Sequence, residues 1–132
     1  MSDTLQATRL ASPVLVLGPA HAGKSEFAIQ LLRPDVAALV IGTAPSAGGA
    51  AAGRLAELRA LRPPHWETLE AHGDLPAALA EAATRSGQIL VDSVSQWLAA
   101  VVVARESLAE DLLEAELEAS ADELLRVVKQ AT

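Results

Sequence analysis

The eight residues Gly18-Pro-Ala-His-Ala-Gly-Lys24-Ser25 constrain this chain more than any other feature. They fit the pattern G-x-x-x-x-G-K-[ST], in which glycines let the main chain wrap closely around phosphates and the loop N–H groups point inward. Such a loop works between a strand and a helix whose positive end faces the anion. The flanks fit both. Pro13 to Leu17 is a short apolar run of the kind that forms a buried parallel strand. Phe27, Ala28, Leu31 and Leu32 recur at helical spacing after the loop, and Arg33, Pro34 and Asp35 stop that helix. Val14 to Ser25 therefore reads as a strand and phosphate-binding loop. At average composition the pattern arises by chance in on the order of one in a few hundred chains of this size. The chain carries two lysines, Lys24 and Lys129, which lowers those odds further. The bland alternative is a glycine-rich strand–helix turn with a solvated lysine.

The loop reading assigns nucleotide contacts to Gly18, Ala20, His21, Ala22, Gly23, Lys24 and Ser25. Lys24 is expected to reach the terminal phosphates and the Ser25 hydroxyl to hold Mg²⁺. A second element fits this chemistry. Ile89-Leu-Val-Asp92 is an apolar run ending in an acid, and an Asp at the carboxyl end of a parallel strand faces the metal held by the loop. Asp92 is thus the expected partner of Ser25 at Mg²⁺ and, with Lys24, the expected catalytic pair. Its bland alternative is a cap onto Val94 or Ser95.

The rest of the chain alternates strands and helices. Val36 to Ile41 reads as a strand closed by Gly42, and Thr43 to Gly53 as a mobile loop, with a frayed helical start as the alternative. Arg54 to Leu61 reads as a helix ended by Pro63 and Pro64. His65 to Leu69 reads as a short strand, Pro76 to Thr84 as a helix, Gln88 to Val91 as a strand and Ser95 to Arg105 as a helix. Ser107 to Glu110 has the form of a capping box. The terminal helix, 106–130, carries an apolar stripe through Leu108, Leu112, Leu113, Leu117, Leu124, Leu125 and Val128. Ser120 to Glu123 repeats the capping pattern and suggests a break. This order implies one α/β domain over 1–132, a P-loop NTPase-like three-layer fold on a small, mostly parallel sheet, with 1–12 as a loose arm.

Composition narrows the partners. A net charge of −7, with basic residues scattered except for a loose group at Arg54, Arg59 and Arg62, argues against nucleic acid. The longest apolar stretch, Trp97 to Ala104, is short of the roughly 20 residues that span a bilayer. No signal peptide is evident, so a cytoplasmic location is expected. The absence of cysteine removes thiolate metal sites and a Cys nucleophile. The three histidines are too dispersed for a metal-ligand set. His65 and Trp66 read as packing, with stacking on a substrate ring as the functional alternative.

Together these residues resemble one family, the bifunctional adenosylcobinamide kinase / adenosylcobinamide-phosphate guanylyltransferases of cobalamin biosynthesis. The resemblance runs through the loop, the strand ending Ile41-Gly-Thr43, the stretch Arg62-Pro-Pro-His-Trp-Glu-Thr-Leu-Glu70, and Asp92-Ser-Val-Ser-Gln-Trp97-Leu98. It covers most of residues 13 to 104. It implies ATP- or GTP-dependent phosphorylation of a cobinamide-like side-chain hydroxyl, with Mg²⁺. The family's guanylylated histidine falls at Leu58, so the resemblance implies that guanylyl transfer by that route is lost. Pro19, His21 and Ala22 also depart from the family's loop, and its acidic element is replaced by Gly48 to Ala52. The family's last strands have no counterpart before Thr132, so a homo-oligomer or a partner supplying them is expected. Two functions follow: a kinase resting on Lys24, Ser25 and Asp92, or a catalytically degenerate nucleotide-binding or regulatory subunit that acts through association.

Overall fold

The computed structural model of the chain describes residues 13–19, 22–43, 50–71, 73–85 and 87–131. The expected arm at 1–12, loop residues Ala20 and His21, and His72 lie outside them. The described elements run in the order α1 (Lys24–Leu31), β1 (Ala38–Gly42), α2 (Ala50–Ala60), β2 (Glu67–Glu70), α3 (Leu75–Ala83), β3 (Gln88–Asp92), α4 (Val94–Ala104) and α5 (Glu110–Ala131).

The three strands form a parallel sheet in the order β2-β1-β3. The central strand explains itself from composition. Ala38-Leu-Val-Ile41 is apolar on both faces, which suits a strand covered on both sides. Val40 and Ile41 are fully buried. Side chains alternate along a strand, so the register sorts them onto two faces. Val40 pairs with Thr68 and Leu90, and Gly42 with Glu70 and Asp92. Ala38, Val40 and Leu90 therefore share a face with Asp92, and Ile29 of α1 packs there with Trp66. Leu39 and Ile41 look the other way, into a larger core with Leu75 and Leu79 of α3, Trp97 and Val101 of α4, and Leu124 and Val127 of α5. The result is the three-layer α/β arrangement expected from the alternating pattern.

Local chemistry sets the helix starts. Asp74 caps α3, accepting from the Ala77 N–H at 3.1 Å, and Pro76 occupies the first turn, where no donor is needed. Ser93 caps α4 through Gln96 N–H. Two tryptophans pin loops to these layers. Trp66 Nε1 donates to the Val36 carbonyl at 3.0 Å, and Trp97 Nε1 to the Gly73 carbonyl at 3.2 Å. Buried indoles with their one donor satisfied are packing elements, so Trp66 is structural.

Several expectations need correction. Pro13 to Leu17 is not a strand. Val14, Leu15 and Leu17 are 51%, 70% and 81% exposed, and among the described residues no strand pairs with the outer side of β3. A short apolar run has no extended conformation of its own; it needs a ladder to join. The helix expected from Arg54 begins at Ala50, because Ala is the best helix former and Gly53 alone does not stop it. The terminal helix starts at Glu110, not 106, and Leu113 N–H bonds the Ala109 carbonyl, so Ser107 is not its cap. It also runs unbroken through Ser120, since packing of Leu117, Leu124 and Val127 on the core overrides the local capping signal.

The packing makes a prediction. Leu75→Ala should cost about 2–5 kcal/mol in urea unfolding, as truncation of a fully buried leucine does. Phe27→Ala, at a side chain that is 52% exposed, should stay within about 0.5 kcal/mol of wild type.

Candidate functional site at the carboxyl end of the sheet

The turn before α1 has the shape that its glycines allow. Ala22 N–H donates to the Pro19 carbonyl at 3.3 Å. Gly23 then takes a positive φ of 87°, a left-handed conformation that side chains disfavour. Phe27 N–H closes the first helical bond on the Gly23 carbonyl at 3.0 Å. The Lys24 side chain folds back over this turn. Its ammonium donates to the Gly18 and Pro19 carbonyls, both at 2.8 Å. Its stem lies 3.4 Å from where a Cβ on Gly18 would stand. The lysine is thus held by the loop itself rather than extended into solvent.

The position of α1 follows from its far end. Arg33 N–H donates to Gln88 Oε1 at 2.7 Å, and Gln88 Nε2 donates back to the Arg33 carbonyl at 3.0 Å and the Val36 carbonyl at 3.2 Å. These bonds tie the end of α1 to the start of β3. With Ile29 packed on Ala38 and Val40, α1 lies over one face of the sheet, its end tied to the start of β3. Asp92 is also on the face that α1 covers, by the alternation given above.

Asp92 keeps its carboxylate. The cap of α4 is Ser93, so capping by Asp92 onto Val94 or Ser95 does not occur. Its main chain is fixed by a clamp between strand ends. Thr43 N–H donates to the Asp92 carbonyl at 3.2 Å. Ser93 N–H donates to Thr43 Oγ1 at 2.8 Å, and that hydroxyl donates to the Ser93 carbonyl at 2.6 Å. The half-buried carboxylate makes no hydrogen bond or ion pair among the described residues. An acid left unpaired at a strand end is available to a cation.

Three further charged residues gather on the same face. Glu70 shares the register row of Gly42 and Asp92, and its carboxylate comes within 3.5 Å of where a Cβ on Gly42 would lie. Arg59 of α2 reaches it at 3.7 Å. Arg62 lies against β2, its Nη1 pointing at Thr68 Oγ1 at 3.4 Å. Burial pushes the Arg62 guanidinium below its ordinary pKa, opposed by the charge of Asp92. Arg62 and Glu70 bound the stretch that carries the resemblance, and the register adds that they share the sheet face of Asp92.

Other candidates fall elsewhere. His65 is exposed at the opposite, amino end of the sheet, beside Glu67 and Arg85. Among the described residues no group of three metal-ligating side chains occurs, and no helix is long and apolar enough to cross a membrane. Leu58 is buried.

The family model described as cobinamide kinase / cobinamide phosphate guanyltransferase matches residues 14–132. The chain belongs to this family. The match extends the resemblance through α5, beyond the elements that carried it in the sequence. A relative from Pseudomonas aeruginosa (strain PAO1), named bifunctional adenosylcobalamin biosynthesis protein CobP, is 41% identical over 85 residues, which are 64% of this chain and 49% of that protein. The chain thus spans about half the length of the curated relative it matches. No solved structure matches it.

Thr43→Val should test the clamp. It leaves the Ser93 N–H and carbonyl without their partner, at a cost of about 1–3 kcal/mol in urea unfolding. Thr43→Ser should keep most of that stability.

Proposed function

We propose that this chain binds a magnesium nucleoside triphosphate at Gly18 to Ser25 and performs the phosphorylation half of its family's chemistry, on the hydroxyl of a cobinamide-like acceptor. The observation that carries the reading is that α1, with the glycine turn before it, packs on the sheet face that carries Asp92, and that Asp92 is free of capping duty. The loop N–H groups and the start of α1 favour an anion there. Lys24 would exchange its two carbonyl partners for phosphate oxygens of higher charge, a stronger hydrogen bond. Pro19 contributes no donor. Ala20, His21, Ala22 and Gly23 complete the cradle in this reading.

Magnesium suits the residues present. Ser25 Oγ and the unpaired Asp92 carboxylate are hard oxygen donors at one end of the sheet. When bound, the ion neutralises charge on the phosphates. The chain's own part is to hold and align. In the transfer, the acceptor hydroxyl oxygen bonds the terminal phosphorus as the bridging bond to the leaving diphosphate breaks, and the hydroxyl proton leaves to solvent or to a nearby carboxylate. Lys24 steadies the phosphates through that change. Either ATP or GTP fits this description.

The guanylyl step is a different matter. Leu58, where the resemblance puts the family's histidine, is an aliphatic side chain buried in the core. It offers no nucleophile, so this chain is proposed to lack that half-reaction. Family membership and the relative's name support cobalamin biosynthesis as the setting; a location in the cytoplasm accords with this.

A second reading is a nucleotide-holding or regulatory subunit that works through association, as a homo-oligomer or with another chain. It is favoured by the outer edge of β3, unpaired among the described residues, and by the exposure of Val14, Leu15 and Leu17. Unpaired edges and apolar runs invite pairing.

Calorimetry tests the nucleotide binding that both readings share, and turnover separates the two. Mg²⁺–ATP or Mg²⁺–GTP should bind wild type, and Lys24→Ala should weaken that binding by about tenfold or more, as loss of a charged hydrogen bond does. Asp92→Asn should remove most of the magnesium dependence. Cobinamide-stimulated turnover marks the kinase; binding without turnover marks the subunit. A Lys24→Ala protein that binds like wild type would refute both.

A further inference from the structure

Arg62 is an arginine whose surroundings do not account for it. Its main chain is fixed on both sides. Arg62 N–H donates to the Arg59 carbonyl at 3.1 Å, Trp66 N–H to the Pro63 carbonyl at 3.1 Å, and Trp66 itself is anchored to Val36. Pro63 and Pro64 lock their φ angles between these points. The side chain is thereby laid on the α1 face of the sheet, over β2. There its fork is badly served. The bond from Nη1 to Thr68 Oγ1, at 3.4 Å, is longer than an effective hydrogen bond. Nε is buried with no acceptor among the described residues.

Acceptors are close by but not used. Glu70 is taken by Arg59. Asp92 acts on Arg62 electrostatically, yet the two are not within the 4.0 Å of an ion pair. A guanidinium and a carboxylate that feel each other would normally close into a bidentate pair. Here each keeps its bonding capacity open, across the floor formed by Val40 and Gly42. What fills such a gap must offer acceptor oxygens to the arginine and a cation to the carboxylate. A magnesium-bound phosphate group does both. Arginine suits this task because its fork matches phosphate geometry and it stays protonated despite partial burial.

We infer that Arg62 is a phosphate-binding residue of this site, receiving an oxygen of the metal-bound phosphate across from Asp92. The inference rests on the proposed nucleotide site and adds a contact from outside the glycine-rich loop. Arg62 would hold the phosphate from the β2 side while Lys24 holds it from the α1 side. The orphaned Nε then has a reason, since the ligand completes its bonding.

The test is calorimetric titration of Mg²⁺–ATP, Mg²⁺–GTP and magnesium pyrophosphate into wild type, Arg62→Met, Arg62→Lys and Lys24→Ala. Thermal melts of each protein report whether it is folded. Arg62→Met should weaken binding by about 10- to 100-fold, the loss expected for a charged hydrogen bond. Arg62→Lys should recover less than half of that loss on the logarithmic scale, because an ammonium lacks the fork. If Arg62→Met is folded and binds like wild type while Lys24→Ala does not, the Arg62 inference falls and the nucleotide site stands. If Arg62→Met binds weakly and Lys24→Ala binds normally, the anion site at Arg62 stands without the loop. If wild type binds none of the three, both fall. Should Arg62→Met not fold, Arg62→Lys decides: weakened binding at an unchanged melting temperature supports the contact, and wild-type affinity overturns it.

Discussion

Parallel pairing of β1 with β3 is the constraint on which the rest depends. It places Gly42 beside Asp92 and, through β2, beside Glu70. A slip of one residue would turn Asp92 into the apolar layer of α3, α4 and α5, where a carboxylate has no partner and ionisation is costly. The register is held at both ends. Gln88 ties the start of β3 to the end of α1, and Thr43 ties its finish to β1. Between those ties Val40 and Ile41 are fully buried, one on each face. The site is a consequence of this register, since α1 can only meet Asp92 on the face where Ile29 finds Ala38 and Val40.

Much of this order was legible in the residues, for physical reasons that differ from element to element. The strands at Val36 to Gly42 and Gln88 to Asp92 are apolar runs with Gly or Asp at their ends, and burial on both faces leaves that mark plainly. The Leu75–Ala83 helix was legible because proline and aspartate chemistry at its start is local. The terminal helix was found, but its false break at Ser120 shows a local capping signal yielding to a long apolar face packed on α3. Val14 to Leu17 misled for the opposite reason. Its pattern is that of a buried strand, and burial is a property of neighbours, which composition does not supply. Lys24 and Asp92 were identifiable by motif. Arg62 and Glu70 stood out as the ends of a resembling stretch, but nothing in their spacing says that register will set them on the face of Asp92.

Family membership sharpens the reading without completing it. The chain matches its family over residues 14–132 and spans about half of the relative from Pseudomonas aeruginosa. The chain carries a lysine-bearing turn and a strand-end acid, Asp92, on an α/β sheet. Leu58, where the resemblance puts the family's histidine, is buried in the core.

In the proposed site the glycine turn, Asp92 and Arg62 converge on one bound phosphate at the carboxyl end of the sheet. Paramagnetic broadening tests it most directly. Mn²⁺ in place of Mg²⁺ would be added with ATP or GTP to isotopically labelled protein, and amide signals followed. Saturable broadening centred on residues 18–25, 42–43 and 92–93, sparing the Arg33–Gln88 end, is the predicted result. Broadening centred at the amino end of the sheet, or on α5, would contradict the account.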